Sequence, residues 1–189
     1  MRLLASFLAF GVAATTVMAA STPPVIRQAP DFTVTEPGGK SITVSSLRGK
    51  VCVLAFMFTT CPHCQDESRM LTRLQKEMAP RGLQVLGVAF NDNAALLVPE
   101  FIRQFGVGFP VGVSEKAPVL NYLGLSEMVR WGVPQVVVID RKGNIRAQSP
   151  TQGGDANLAN ESYMRDLLDT LLKEPAGTTS GKKSSTAHR

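Results

Sequence analysis

Two of the chain's three cysteines, Cys61 and Cys64, stand in Thr59-Thr60-Cys61-Pro62-His63-Cys64. The motif follows an unbroken apolar run at residues 51–58 and opens an amphipathic segment at 65–78. Thiols three residues apart where a strand gives way to a helix are close enough to form a small-loop disulfide, so they read as a redox-active pair. Cys61 falls at the helix N-terminus, where unpaired backbone N–H groups and the helix dipole favour an anion and lower a thiol pKa. That makes it the expected nucleophile. Cys64, one turn further in, faces the body of the helix and attacks only after a mixed disulfide has formed, which makes it the resolving thiol. Pro62 suits an early helical position because its missing N–H would have no intrahelical partner. His63, between the thiols, can offer a donor or a positive charge to a Cys61 thiolate.

The neighbouring segments must position that pair. Residues 51–58 are apolar throughout, as expected of a central strand covered on both faces. The segment after the motif carries Met70, Leu71, Leu74 and Met78 on one stripe, the pattern of a helix packed on a core, and its methionines read as core filler rather than ligands. Pro80-Arg81-Gly82 ends it, and residues 83–90 form a second buried strand; strand, helix, strand implies a parallel crossover. Pro99 marks the start of another helix, with Phe101, Ile102 and Phe105 on its apolar side. Residues 135–140 and 145–147 flank Arg141-Lys142-Gly143-Asn144 as a hairpin. An earlier hairpin joins 29–35 to 41–44 through Glu36-Pro37-Gly38-Gly39. Tyr163, Met164, Leu167, Leu168, Leu171 and Leu172 give a closing helix packed on the chain's own sheet.

The whole chain bounds the rest. Its 189 residues suggest one domain, and 44% hydrophobic with 19% charged residues fits a globular protein. The net charge of +5 is scattered apart from Lys182-Lys183, so no nucleic-acid partner is expected. Arg2, the apolar run at 3–10 and a small-residue stretch ending in Ala19-Ala20 read as a secretory signal over residues 1–20, or an uncleaved anchor if it is retained. Either way the domain is expected in the periplasm or another exported compartment, where disulfide chemistry belongs. Residues 21–28 read as a linker, 29–174 as the domain and 175–189 as a disordered tail holding His188.

Taken together, Ala29-Pro30-Asp31-Phe32, Leu47-Arg48-Gly49-Lys50, Cys61-Pro62-His63-Cys64 with Glu67, Val133-Pro134 and Val138-Ile139-Asp140-Arg141-Lys142-Gly143 resemble the thioredoxin-like superfamily. Within it the pattern is similar to the exported TlpA/ResA-like thiol-disulfide oxidoreductases, close to the redoxin or AhpC/TSA group. The resemblance implies an α/β thioredoxin-like fold, a central mixed sheet flanked by helices with an N-terminal β-hairpin extension. It implies a cis peptide at Pro134, with the Val133 backbone, Thr60 and Pro62 meeting an extended substrate. It also implies that Glu67 handles the proton of the resolving thiol; read from the residues alone, Glu67 is equally a solvated first-turn carboxylate favoured by the dipole. No cofactor beyond the Cys61–Cys64 disulfide is implied. The partners would be protein thiols or disulfides and an upstream redox partner, met by a monomer. Thr60 stands where the family commonly has Trp, Ala55 where many thioredoxins carry a buried acid, and Arg69 where a helix-kinking proline is common. The Pro-His dipeptide is typical of DsbA-like oxidants while the overall pattern is that of reductants, so both directions of electron flow stay open.

Three other readings are weaker. A thiol peroxidase of peroxiredoxin type would need a proline at Leu54 and a threonine at Phe58. A copper-delivery protein of this fold would want a wider Cys spacing and a distant His within the domain, and zinc has too few ligands. A purely structural bridge generally closes a longer loop. Cys52 reads as a buried, inert thiol.

Overall fold

The computed structural model describes residues 25–151 and 157–176. The expected signal at 1–20, the first half of the linker (21–24), and the tail with Lys182, Lys183 and His188 lie outside the described residues. In chain order the elements are β1 (Arg27–Gln28), β2 (Thr33–Thr35), β3 (Ser41–Thr43), β4 (Val51–Met57), α1 (Pro62–Met78), β5 (Leu83–Ala89), α2 (Ala94–Phe105), β6 (Val111–Val113), α3 (Lys116–Leu123), β7 (Gln135–Ile139), β8 (Asn144–Gln148) and α4 (Glu161–Lys173). The eight strands form one mixed sheet in the order β1-β8-β7-β4-β5-β6-β2-β3. β5 runs parallel to β4 and to β6, and β7 runs antiparallel to β4. The β4-α1-β5 crossover is therefore the parallel unit expected from the sequence, and β7-β8 is the expected hairpin.

Every residue of β4 is buried. Because successive side chains of a strand point to opposite faces, Val51, Val53, Ala55 and Met57 enter the layer beneath α1, α2 and α4, while Cys52, Leu54 and Phe56 enter the layer beneath α3 and the N-terminal hairpin. The α1 stripe of Met70, Leu71, Leu74 and Met78 is buried in the first layer as expected. Gly82, at φ +103°, takes the left-handed conformation that turns the chain from the end of α1 into β5. Along the outside, α1 and its C-terminal extension are joined to α4 by ion pairs: Arg73 and Glu77 of α1 pair with Glu161 and Arg165, and Arg81, in the turn that follows α1, pairs with Asp169. These pairs are largely exposed and so fix the register of the two helices more than they add stability.

Four details differ from the sequence expectations. α2 begins at Ala94, so Pro99 lies inside it rather than at its start; the missing N–H costs one intrahelical bond, and the burial of Ala94, Val98 and Phe101 carries the helix through. Tyr163 is 46% exposed and drops out of the α4 stripe, which is made by Met164, Leu167, Leu168, Leu171 and Leu172. The sheet begins before residue 29, because Arg27 and Gln28 pair with Ile145 and Asn144. The strands at the site end at Met57 and Ala89, one residue short of the apolar runs, so Phe58 and Phe90 are free to pack edge to face at 4.7 Å.

The N-terminal hairpin β2-β3 docks on the far edge of the sheet through Thr35 opposite Val113, with Phe32 packed edge-on against Phe56 and Tyr122. The approach depends on Gly112. A Cβ there would lie 2.5 Å from Val34 Cγ1 and 2.7 Å from the Thr35 carbonyl oxygen. Gly112→Ala is expected to push the hairpin from the edge, lowering stability by about 1–3 kcal/mol and accelerating amide hydrogen exchange at residues 33–35 and 41–43 ahead of β4 and β5. Urea unfolding and hydrogen-exchange mass spectrometry measure both effects.

Candidate active site

The chain leaves β4 at Met57 and reaches α1 through a tight turn in which the Cys61 N–H donates to the Phe58 carbonyl at 3.1 Å. Cys61 is the N-cap residue with extended backbone, φ −83° and ψ 120°, and Pro62 is the first helical residue. The first intrahelical bond runs from the Gln65 N–H to the Cys61 carbonyl at 3.1 Å. The N–H groups of His63 and Cys64 thus have no intrahelical acceptor, and they leave the positive end of the α1 dipole open at Cys61.

The two thiols occupy opposite environments. Cys61 is partly exposed, and its Sγ lies 4.0 Å from the carbonyl oxygen of Val133. Cys64 is fully buried. Burial raises its pKa strongly, the neighbouring Cys61 thiol and Glu67 raise it further, and a backbone hydrogen bond with Phe58 opposes them. All three cysteines are free thiols in this structure. Cys52 is buried too, its thiol pushed up to about 12 by desolvation, and it belongs to the layer on the other face of the sheet from Cys64.

The Val133–Pro134 peptide is cis, as the resemblance implied. Pro134 is buried and Val133 half-buried, and together with His63, Glu67, Met70 and Ala159 they line a groove of about 550 Å³. The Arg73–Glu161 ion pair lies along its wall. Glu67 is only 5% exposed, and its Oε1 has no hydrogen-bond partner among the described residues. Desolvation lifts its pKa to about 7. The solvated first-turn reading of Glu67 therefore does not hold; it is a buried acid beside a buried thiol. Ala55 is fully buried in the same layer as Cys64, so the acid comes from α1 and not from the strand. His63, Thr60 and Pro62 are exposed around the motif, and no hydrogen bond joins His63 to Cys61 among the described residues.

Other participants were not anticipated from the sequence. Trp131 packs against Phe58 and Phe90, with ring centroids 6.2 and 5.8 Å apart, so a loop distant in sequence brings an aromatic to the ends of β4 and β5 from which the motif departs. Its place two residues before Val133 was the available signal. Asn91 and Gln65 hydrogen-bond the turn at Thr59, and neither residue type stands out in a motif.

The AhpC/TSA family model matches residues 25–148, more than half of the chain. The chain belongs to that family. Among curated proteins this AhpC/TSA member is 27% identical over 122 residues to the thiol-disulfide oxidoreductase ResA of Bacillus thuringiensis, covering 65% of this chain and 67% of the relative. It is 28% identical over 119 residues to ResA of Halalkalibacterium halodurans, covering 63% and 64%. Among solved structures it is similar to a thioredoxin-family thiol:disulfide interchange protein of Chlorobium tepidum, with TM-score 0.64 and 24% identity over 82% of this chain and 99% of that one. The fold is thioredoxin-like, and the resemblance to ResA extends from the motifs to an aligned stretch of 122 residues.

The raised Glu67 pKa makes stability depend on pH. The unfolded carboxyl releases its proton near 4.5 and the folded one near 7, so the unfolded state binds fewer protons in that window and stability falls as pH rises through it. Glu67→Gln should match the wild-type stability at pH 4 and exceed it above pH 7 by up to about 3 kcal/mol. Urea titrations of the reduced protein across this range measure the gap; a gap that does not grow with pH contradicts the burial-driven shift.

Proposed function

We propose that this thioredoxin-like thiol-disulfide oxidoreductase exchanges disulfides with partner proteins in an exported compartment, with Cys61 as nucleophile and Cys64 as resolving thiol. The observation that carries the proposal is the asymmetry of the pair: an accessible thiol at a helix N-terminus beside a carbonyl of the cis-proline loop, and a buried thiol next to a buried acid. In the reducing direction, the Cys61 thiolate attacks a partner disulfide, forming a mixed disulfide and releasing one partner thiolate. Glu67 takes the proton of Cys64, whose thiolate attacks the Cys61 sulfur and releases the second partner thiol, leaving the Cys61–Cys64 disulfide. The oxidising direction is the reverse sequence. A carboxyl with a pKa near 7 can both take and return that proton.

The Val133 backbone is the natural pairing edge for an extended partner segment, with Thr60 and Pro62 on the exposed side of the thiol. His63, on the rim of the groove, is placed to offer the thiols a donor or a positive charge. The redox equivalents reside in the thiol pair itself, without a cofactor. An upstream redox partner resets the pair after each exchange. Export is supported by the basic, apolar and small-residue succession in residues 1–20.

Cys64→Ser should accumulate partners linked covalently through Cys61 in the exported fraction, visible as reducible bands on non-reducing gels. Cys61→Ser should trap none and abolish exchange. Absence of trapped species with Cys64→Ser, or trapping that survives loss of Cys61, contradicts the assignment. The reduction potential against glutathione assigns the direction: a strongly oxidising value marks a disulfide donor, a low one a reductant.

A further inference from the structure

Beyond the thiols and Glu67, we infer that Asn91 is a positioning residue for Cys61, holding through the Thr59 peptide the turn that sets the nucleophile at the start of α1. The inference deepens the proposed function and rests on its assignment of Cys61 as nucleophile.

Thr59 is buried, with its peptide between the end of β4 and the start of α1, where neither a strand partner nor a helical turn serves its backbone. Side chains serve it instead. The Thr59 N–H donates to Asn91 Oδ1 at 2.9 Å, and the Thr59 hydroxyl donates to the same oxygen at 3.3 Å. Gln65 Nε2, one turn into α1, donates to the Thr59 carbonyl at 3.0 Å. Asn91 is itself oriented, because its Nδ2 donates to the Asp92 carbonyl at 2.9 Å. It enters from the exit of β5, which is held level with the exit of β4 by the Phe90 N–H donating to the Met57 carbonyl at 3.2 Å and by the Phe58–Phe90 ring contact.

A single exposed residue, Thr60, separates this clamped peptide from Cys61. Rotation of the Thr59 peptide would carry the Cys61 sulfur away from the first-turn N–H groups and from Val133. The favourable field of a helix end fades within its first turn, so a small displacement is enough to weaken thiolate stabilisation. Asn91 does not line the groove at Pro134, and its side-chain hydrogen bonds among the described residues go to Thr59 and Asp92; its influence runs through the turn.

The test is alkylation of the fully reduced protein by iodoacetamide as a function of pH, with the modified cysteine identified by peptide mapping. Asn91→Ala should raise the pH midpoint of Cys61 alkylation by about one unit and slow the reaction at neutral pH about tenfold. Gln65→Leu, which removes the other arm at the partly exposed face of α1, should shift the midpoint the same way. The double variant should fall short of the sum of the two, because both arms hold one peptide. Ile145→Ala, a core truncation in β8 remote from the motif, serves as control, since it lowers the melting temperature through lost packing. Its pH midpoint should stay at the wild-type value. If the Asn91→Ala and Gln65→Leu midpoints stay with that control while Cys61 remains the modified residue, the clamp is refuted and the nucleophile assignment stands. If the wild type is alkylated first at Cys64, the nucleophile assignment itself fails and the clamp falls with it.

Discussion

Burial of β4 on both faces is the constraint on which the rest of the structure depends. A strand with no exposed side chain lies at the centre of a two-sided core, and the chain can present a reactive group only after leaving it. The step from Met57 to Cys61 is that exit. The parallel crossover requires α1 to start there and return across the sheet, so the helix N-terminus, with its unpaired N–H groups, falls at the strand's carboxyl end. The thiol is placed in an electrostatically favourable position by topology before any particular side chain tunes it.

From this exit follows the division between the two thiols. Three residues of helix carry the chain from the rim of the domain into the layer beneath α1, so that Cys61 meets solvent and Cys64 meets the core. One further turn brings Glu67 into the same buried layer. Desolvation then acts on two acids in sequence: it keeps the Cys64 thiol protonated and lifts the Glu67 carboxyl towards neutrality. The cis Val133–Pro134 loop and the start of α4 complete the groove into which Glu67 faces, while the Arg73–Glu161 ion pair joins α1 to α4 along its wall.

The motif's surroundings draw on side chains from elsewhere in the chain. Thr60 provides no aromatic cover, yet Trp131 arrives from the loop preceding Val133 and packs with Phe58 and Phe90 beside the turn. Ala55 provides no acid, yet Glu67 occupies the layer that Ala55 enters. The two side chains come from different elements: Trp131 from the loop that leads into β7, next to β4 in the sheet, and Glu67 from the helix that follows β4.

The sequence by itself determined the features that depend on local pattern: the all-apolar strand, the helical stripe of Met70, Leu71, Leu74 and Met78, the crossover to β5, the β7-β8 hairpin and the spacing of Cys61 and Cys64. Continuous apolarity and a 3.6-residue period are properties of single segments, readable without knowledge of neighbours. Only the tertiary structure decided whether Glu67 is a solvated or a buried acid, because the same residue in the same helix gives either according to what covers it. It also decided that Pro99 lies within α2, that Arg27 and Gln28 extend the sheet, and that Asn91 reaches Thr59. Each of these rests on contacts between residues distant along the chain, and burial or pairing at such a distance leaves no periodic trace in the sequence.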